Sequence, residues 1–210
     1  MSAPGSTGTL RAVRPYDREY FQRWYHDPRT RVHSRVDLER HAAFAVAATE
    51  FVLERRVLNV LDVCCGIGQW QPVLARLRPR AKYVGVDASP YVVERYGRAR
   101  HIRLGRFGEL DRLRLEGPFD LIVCSGALYY IPDDEVVPGL AAIGKLLEGL
   151  AYLEIFTSAD EVEGDTAAIL KRPRDWYEAR IADAGLVASG LHCYVTRGDA
   201  ERLGEMETAR

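Results

Sequence analysis

The stretch VLNVLDVCCGIGQW, residues 57–70, constrains this chain more than any other. Its aliphatic half suits a strand buried on both faces. That run stops at Asp62, and two adjacent cysteines and two spaced glycines follow at once. A buried strand that delivers a glycine loop opens a parallel α/β sheet, in which ligands sit outside the carboxyl ends of the strands. The rest of the chain keeps this rhythm. Strand-like runs recur as AKYVGVD (81–87), HIRL (101–104), FDLIVCS (119–125) and LAYLEIF (150–156). Helix-like segments QWQPVLARL, PYVVERYGRA and PDDEVVPGLAAIGKLL separate them, and a last helix, RDWYEARIADAG, ends at Gly185 before LVASGLHCYV.

Short apolar strands alternating with helices predict an α/β, Rossmann-like doubly wound, mainly parallel sheet with helices on both faces. An antiparallel strand is expected near the C-terminus. At 210 residues and 47% hydrophobic content the chain supports one sizeable core. Residues 1–15 read as a disordered N-terminal segment and 16–56 as a helical lid or cap preceding the sheet. Within that cap, YDREYFQRWYHDP is a short aromatic helix or turn, and Ser34 and Asp37 stand at capping-box spacing. Residues 57–196 hold the sheet domain, and 197–210 read as a charged tail with little to bury.

A net charge of −1 gives no whole-molecule attraction to nucleic acid or an anionic membrane. MSAPGSTGTL has neither the basic start nor the apolar run of a secretory signal, and no apolar stretch is long enough to span a bilayer. The expected location is cytoplasmic, with Cys64, Cys65, Cys124 and Cys193 reduced.

The loop discriminates between ligands. A dinucleotide fingerprint needs a third glycine where Gln71 stands, and no P-loop pattern is present. Asp62, beside the loop, disfavours a pyrophosphate and favours a cation. Asp87 ends the second strand 19 residues after Gly68, the offset of an acid that hydrogen-bonds ribose hydroxyls. The ligand therefore has adenosine-like bulk, a diol and positive charge, without phosphates.

LDVCCGIGQ, YVGVDAS and FDLIVCSGALYYIPDD, in that order, resemble the class I S-adenosylmethionine-dependent methyltransferases. The resemblance covers residues 57–156 well and makes 57–196 a methyltransferase-like catalytic domain. It implies S-adenosyl-L-methionine as cofactor, with S-adenosyl-L-homocysteine as product. By position, Asp62 and the loop Cys64, Cys65, Gly66 and Gly68 would lie beside the methionine moiety. Asp87, with Ala88 and Ser89, would hold the ribose; Arg106 and Phe107 would lie near the adenine. Ser125, Gly126 and Leu128 would face the transferred methyl. The sequence departs from the family at Cys64, where a glycine is usual, at Arg106, where an acid often reads the adenine amine, and at Gly149, the remnant of a glycine pair. The resemblance also makes the first and fourth strands neighbours, which would bring Cys64 near Cys124.

Methyl transfer needs alignment of nucleophile, methyl and sulfur with water excluded, and a hydroxyl acceptor also needs a base. Tyr129 and Tyr130 are the polar groups best placed to meet an acceptor, and His33 is a candidate base. Arg29 or Arg31 could clamp the cofactor's carboxylate. His26, His41, His101 and His192 share no metal-like spacing, and no metal is expected. The expected activity is methyl transfer to an oxygen or nitrogen of a small molecule, a secondary metabolite or a sugar, by a monomer or homodimer. Two alternatives stand beside it: a non-catalytic methyltransferase-like partner subunit, and a nicotinamide-dependent oxidoreductase.

Overall fold

The structure is a computed structural model that describes residues 16–31 and 34–208. The expectations for residues 1–15 and for His33 lie outside the described residues. One seven-stranded sheet has the order β3-β2-β1-β4-β5-β7-β6. Its strands are β1 (Asn59–Val63), β2 (Lys82–Asp87), β3 (Ile102–Leu104), β4 (Phe119–Ser125), β5 (Leu147–Glu154), β6 (Leu186–Gly190) and β7 (Cys193–Thr196). The first five pair in parallel, and β7 runs antiparallel to both β5 and β6. The fold class, including the antiparallel C-terminal strand, is the one the sequence predicts.

The helices that cover it are α2 (Arg35–Leu53), α3 (Trp70–Leu77), α4 (Pro90–Arg100), α5 (Asp133–Leu146), α6 (Arg174–Asp183) and α7 (Arg197–Thr208), with a single turn α1 (Arg18–Phe21) ahead of them. Side chains alternate across the central strands and feed two cores. Leu61, Val63, Ile122 and Leu153 point toward α5 and α6, where Leu140, Ile143 and Ile181 meet them. Val60, Leu121, Val123 and Tyr152 point the other way, against Ala42, Ala45 and Val46 of α2 and Val73 and Leu74 of α3. The same alternation puts Asp62, Ser125 and Glu154, at the carboxyl ends of β1, β4 and β5, on the α2 side.

Two stretches differ from their sequence reading. Residues 34–53, read as part of a helical lid or cap preceding the sheet, pack on the sheet itself: Ser34 caps α2 by accepting the Asp37 N–H at 3.1 Å, and the alanines let the helix lie close on the sheet. Residues 197–208 form α7, whose Ala200 and Leu203 pack on the core. Its start is fixed by Thr196, which accepts the Asp199 N–H and donates to the Asp199 carboxylate. The dense charge of that stretch hides a short apolar stripe one helical turn long. Among the described residues no helix is long and apolar enough to cross a membrane.

Strand order reverses at β1, which lies between β2 and β4, so the ligand crevice of such a sheet opens above the carboxyl ends of β1 and β4.

Candidate functional site

The loop after β1 turns tightly because Cys64, Gly66 and Gly68 all hold positive φ, at 55°, 54° and 69°. Glycine adopts that region freely; Cys64 does so at a steric cost. The loop is pinned to β2. Asp87 accepts the Gly66 N–H at 2.7 Å and the Ser89 N–H at 2.9 Å, while Cys65 donates its N–H to the Val86 carbonyl. Ser89 then caps α4 through the Val92 N–H and donates to the Tyr16 carbonyl.

Two carboxylates border this loop. Asp62 is buried, accepts from the Tyr83 hydroxyl at 2.7 Å, and is pushed up to about 7 by burial, with the charge of Asp87 adding to the rise. Burial also raises Asp87, against the lowering effect of its two backbone N–H donors. Both carboxylates are thus short of positive charge in the protein alone, which favours a cation above them. Cys64 and Cys124 are free thiols in hydrogen-bond contact, and that contact, with burial, pushes the Cys64 thiol well up. Among the described residues no cluster of ligating side chains could hold a metal.

The aromatic segment before α2 roofs the crevice. Phe21 stacks on Tyr91 of α4 and touches Tyr25. Tyr25 reaches down to the loop: a Cβ built on Gly66 would lie 2.5 Å from its hydroxyl oxygen. Burial and the nearby Tyr20, Asp87, Cys65 and Asp62 push its phenol well up, so it stays protonated. Tyr25 also divides the space in front of the sheet. Behind it lies a cavity of about 70 Å³ lined by His41, Asp62, Cys64, Gln69, Ser125 and Gly126. In front lies one of about 60 Å³ lined by Tyr20, Trp24, Arg31, Tyr129, Tyr130, Glu163 and Asp165. Tyr25, Gln69 and Gly126 line both.

The wall beyond β4 is built by the segment that precedes α6. Ser125 donates to the buried Glu154 at 2.6 Å, and Glu154 contributes to raising the nearby Tyr129 and Tyr152, which burial raises most. Tyr129 is buried, edge-on to Phe156, and its ring centroid lies 4.5 Å from that of Tyr130. Tyr130 donates to the Asp165 carbonyl, and Leu170 donates its N–H to the Tyr129 carbonyl. Arg172 locks this arrangement. Its buried guanidinium donates to the carbonyls of Leu128 and Ile131, to the Tyr177 hydroxyl and to Asp133, and lies over the Trp176 ring.

The sequence-derived residues therefore divide. Asp62, Cys64, Cys65, Gly66, Asp87, Ser89, Ser125 and Gly126 gather at the crevice, Ala88 is exposed beside Asp87, and Gly68 completes the loop with its open face against Arg100 and Ile102. Tyr129 and Tyr130 face the front cavity. Phe107 does not join them: it is buried under α5 and would collide with a Cβ on Gly139. Leu128 is likewise fully buried in the α5-side core. Arg106 is exposed and ion-paired with Glu135 of α5, so its charge is answered within the chain.

Sequence reading missed Glu154 and the pair Glu163 and Asp165 and gave His41 no site role, whereas Tyr25 belongs to the aromatic segment it reads as a lid. Glu154 had a signal, as the one charge inside the apolar run LAYLEIF. The others are brought to the site by tertiary packing.

A family model described as a methyltransferase domain matches residues 35–205. A stretch of 80 residues is 35% identical to trans-aconitate 2-methyltransferase of Deinococcus radiodurans, covering 38% of this chain and 31% of that protein. A 109-residue stretch is 32% identical to an uncharacterized protein of Synechococcus, covering 49% of this chain and 26% of that one. The chain thus spans about a third or less of the length of these two curated relatives. Among solved structures, the sugar N-methyltransferase KedS8 of Streptoalloteichus superposes with a TM-score of 0.61 at 19% identity, over 89% of this chain and 91% of that one. SAM-bound CalS10, an amino pentose methyltransferase of Micromonospora echinaspora, gives 0.55 at 18% identity, over 75% and 89%. At such identities these two likenesses show the fold alone.

Proposed function

This chain belongs to the class I S-adenosylmethionine-dependent methyltransferase family, and on that premise we propose that it transfers a methyl group from S-adenosylmethionine to an oxygen or nitrogen of a small molecule. The observation that carries the proposal is the pair Asp62 and Asp87 bordering a loop of glycines at positive φ. That donor set suits a sulfonium nucleoside and opposes a diphosphate. The bare backbone of Gly66 admits a close neighbour above the loop, the place the Tyr25 hydroxyl takes in this conformation.

In this reading Asp87, with the exposed Ala88 beside it, takes the ribose hydroxyls, while Asp62, Gln69 and Ser125 surround the methionine end. When bound, S-adenosylmethionine supplies an electrophilic methyl on a positively charged sulfur. The chain aligns the acceptor with Tyr129 and Tyr130, and the aromatic roof excludes water. A secondary metabolite or sugar is the acceptor class in view. The work is cytoplasmic in this account, which four free thiols support.

One observation favours a second reading. With the Tyr25 hydroxyl against Gly66, the crevice is closed in this conformation, as a non-catalytic methyltransferase-like subunit would keep it. Isothermal titration separates the readings. Saturable binding of S-adenosylhomocysteine, followed by its release from S-adenosylmethionine with a panel of hydroxyl and amine acceptors, supports the enzyme. No binding by the wild type or by Tyr25→Ala supports the subunit.

A further inference from the structure

We propose that the acceptor carries an oxyanion, a carboxylate or a phosphate, held in a groove beside the crevice by Arg31, Arg35, Arg76 and Arg100. The inference rests on the methyltransferase reading above and adds the chemical class of its substrate.

The groove has a volume of about 460 Å³, a size that takes a small organic ligand. Its arginines come from four segments: the turn before α2, the first turn of α2, and the last turns of α3 and α4. His26 lines it as well, and no lining residue is acidic. That charge is only partly answered. Arg35 and Arg76 share a single carboxylate, that of Glu39, at 3.0 and 2.7 Å. Arg100 spends its guanidinium on the Ile67 carbonyl and on the Tyr96 ring, 5.2 Å from the centroid. Neither Arg100 nor Arg31 has a carboxylate partner among the described residues. Elsewhere the chain pairs its arginines singly, Arg78 with Glu50, Arg106 with Glu135 and Arg174 with Glu178. Guanidinium forks match the oxygens of a carboxylate or phosphate, and exposed pairs such as Arg76–Glu39 yield readily to a better partner. The groove also opens on the site. Tyr25 and Gln69 line it and both cavities, and Arg31 lines it and the front cavity. An acceptor can therefore lay its reacting oxygen or nitrogen against Tyr129 and Tyr130 while its oxyanion passes Arg31 into the groove. The opposing charges, Glu163 and Asp165, line the front cavity and not the groove. Anchored at both ends, the acceptor is held in line for transfer.

Calorimetric titration of the full chain with glutarate, with glycerol 1-phosphate and with the neutral glutaramide tests the assignment. Expected is saturable binding of at least one of the two anions at one site per chain, and none of glutaramide; the tighter anion names the oxyanion. Arg31→Gln and Arg76→Gln change exposed side chains and leave the fold intact, and each should raise the dissociation constant about tenfold. Equal binding of glutaramide, no saturable binding of either anion, or affinity untouched by both variants would overturn the assignment. The cofactor's own carboxylate is the other source of an oxyanion, so S-adenosylhomocysteine is titrated into the same proteins. It should bind both variants as it binds the wild type. If it weakens in step with the anions, the groove serves the cofactor and the acceptor assignment falls. If it binds while the anions do not, the oxyanion assignment alone fails; if it binds neither the wild type nor Tyr25→Ala, the methyltransferase reading fails and the acceptor role with it.

Discussion

The carboxylate of Asp87 accepts the backbone N–H of Gly66 at 2.7 Å, so the acid that ends β2 also fixes the loop that follows β1. Asp87→Ala should weaken S-adenosylhomocysteine binding by about 1.5–3 kcal/mol through loss of charge-assisted hydrogen bonds. It should also lower thermal stability, because the Gly66 and Ser89 N–H groups lose their acceptor together. Asp87→Asn keeps an acceptor oxygen and should fall between. Calorimetric titration and thermal melts of the three proteins check both effects.

Asp62 predicts a pH dependence with a definite sign. Folding holds its proton up to about pH 7, whereas an unfolded aspartate releases it near the ordinary 3.8. Across that window the folded state binds more protons, so stability is greatest below it and falls as pH rises through it, on the order of 1.4 kcal/mol per unit. Asp62→Asn should flatten this slope in urea titrations between pH 4 and 7. For ligands the sign reverses: ionised Asp62 favours the sulfonium, so S-adenosylmethionine should bind several-fold tighter at pH 8 than at pH 6. S-adenosylhomocysteine, without the sulfonium charge, should change less.

Arg172 should prove a strut for the acceptor wall. Arg172→Met removes the guanidinium donor of the Ile131 carbonyl and leaves the Leu128 carbonyl only the Ile131 N–H, and should cost about 2–3 kcal/mol of stability. Arg172→Lys keeps the charge but cannot serve all these partners at once, and should recover only part of the loss. In an active preparation both variants should raise KM for the acceptor more than they lower kcat, since they loosen the Tyr129–Tyr130 wall without touching the cofactor loop.

The parts of this protein that were legible in its sequence are those set by local pattern. The apolar runs of β1, β2 and β4 are visible because parallel strands buried on both faces need them. Gly66, Gly68 and Asp87 were readable because a tight loop and a strand-end acid have fixed spacing. Phe107 misled because it follows β3 at the usual position of an adenine contact, yet Gly139 of α5 leaves a space that its ring fills. Tyr25 was legible as an aromatic of the lid, but its seat on the loop was not: that depends on Phe21 stacking on Tyr91, 70 residues away in the chain, and no periodicity announces such a contact.

Tyr25→Ala joins the cavities in front of and behind the ring. Because the hydroxyl must leave Gly66 before a ligand can lie on the loop, the variant should bind S-adenosylhomocysteine with a faster association rate, at least several-fold, in stopped-flow fluorescence.

The central claim is that carboxylates at the switch point of the sheet select a cationic nucleoside over a dinucleotide. Parallel calorimetric titrations of one preparation with S-adenosylmethionine, S-adenosylhomocysteine and NAD at pH 8 test it most directly. Saturable binding of the first two at micromolar concentration, with NAD at least a hundredfold weaker, is the predicted result. NAD binding as tightly as either would contradict it.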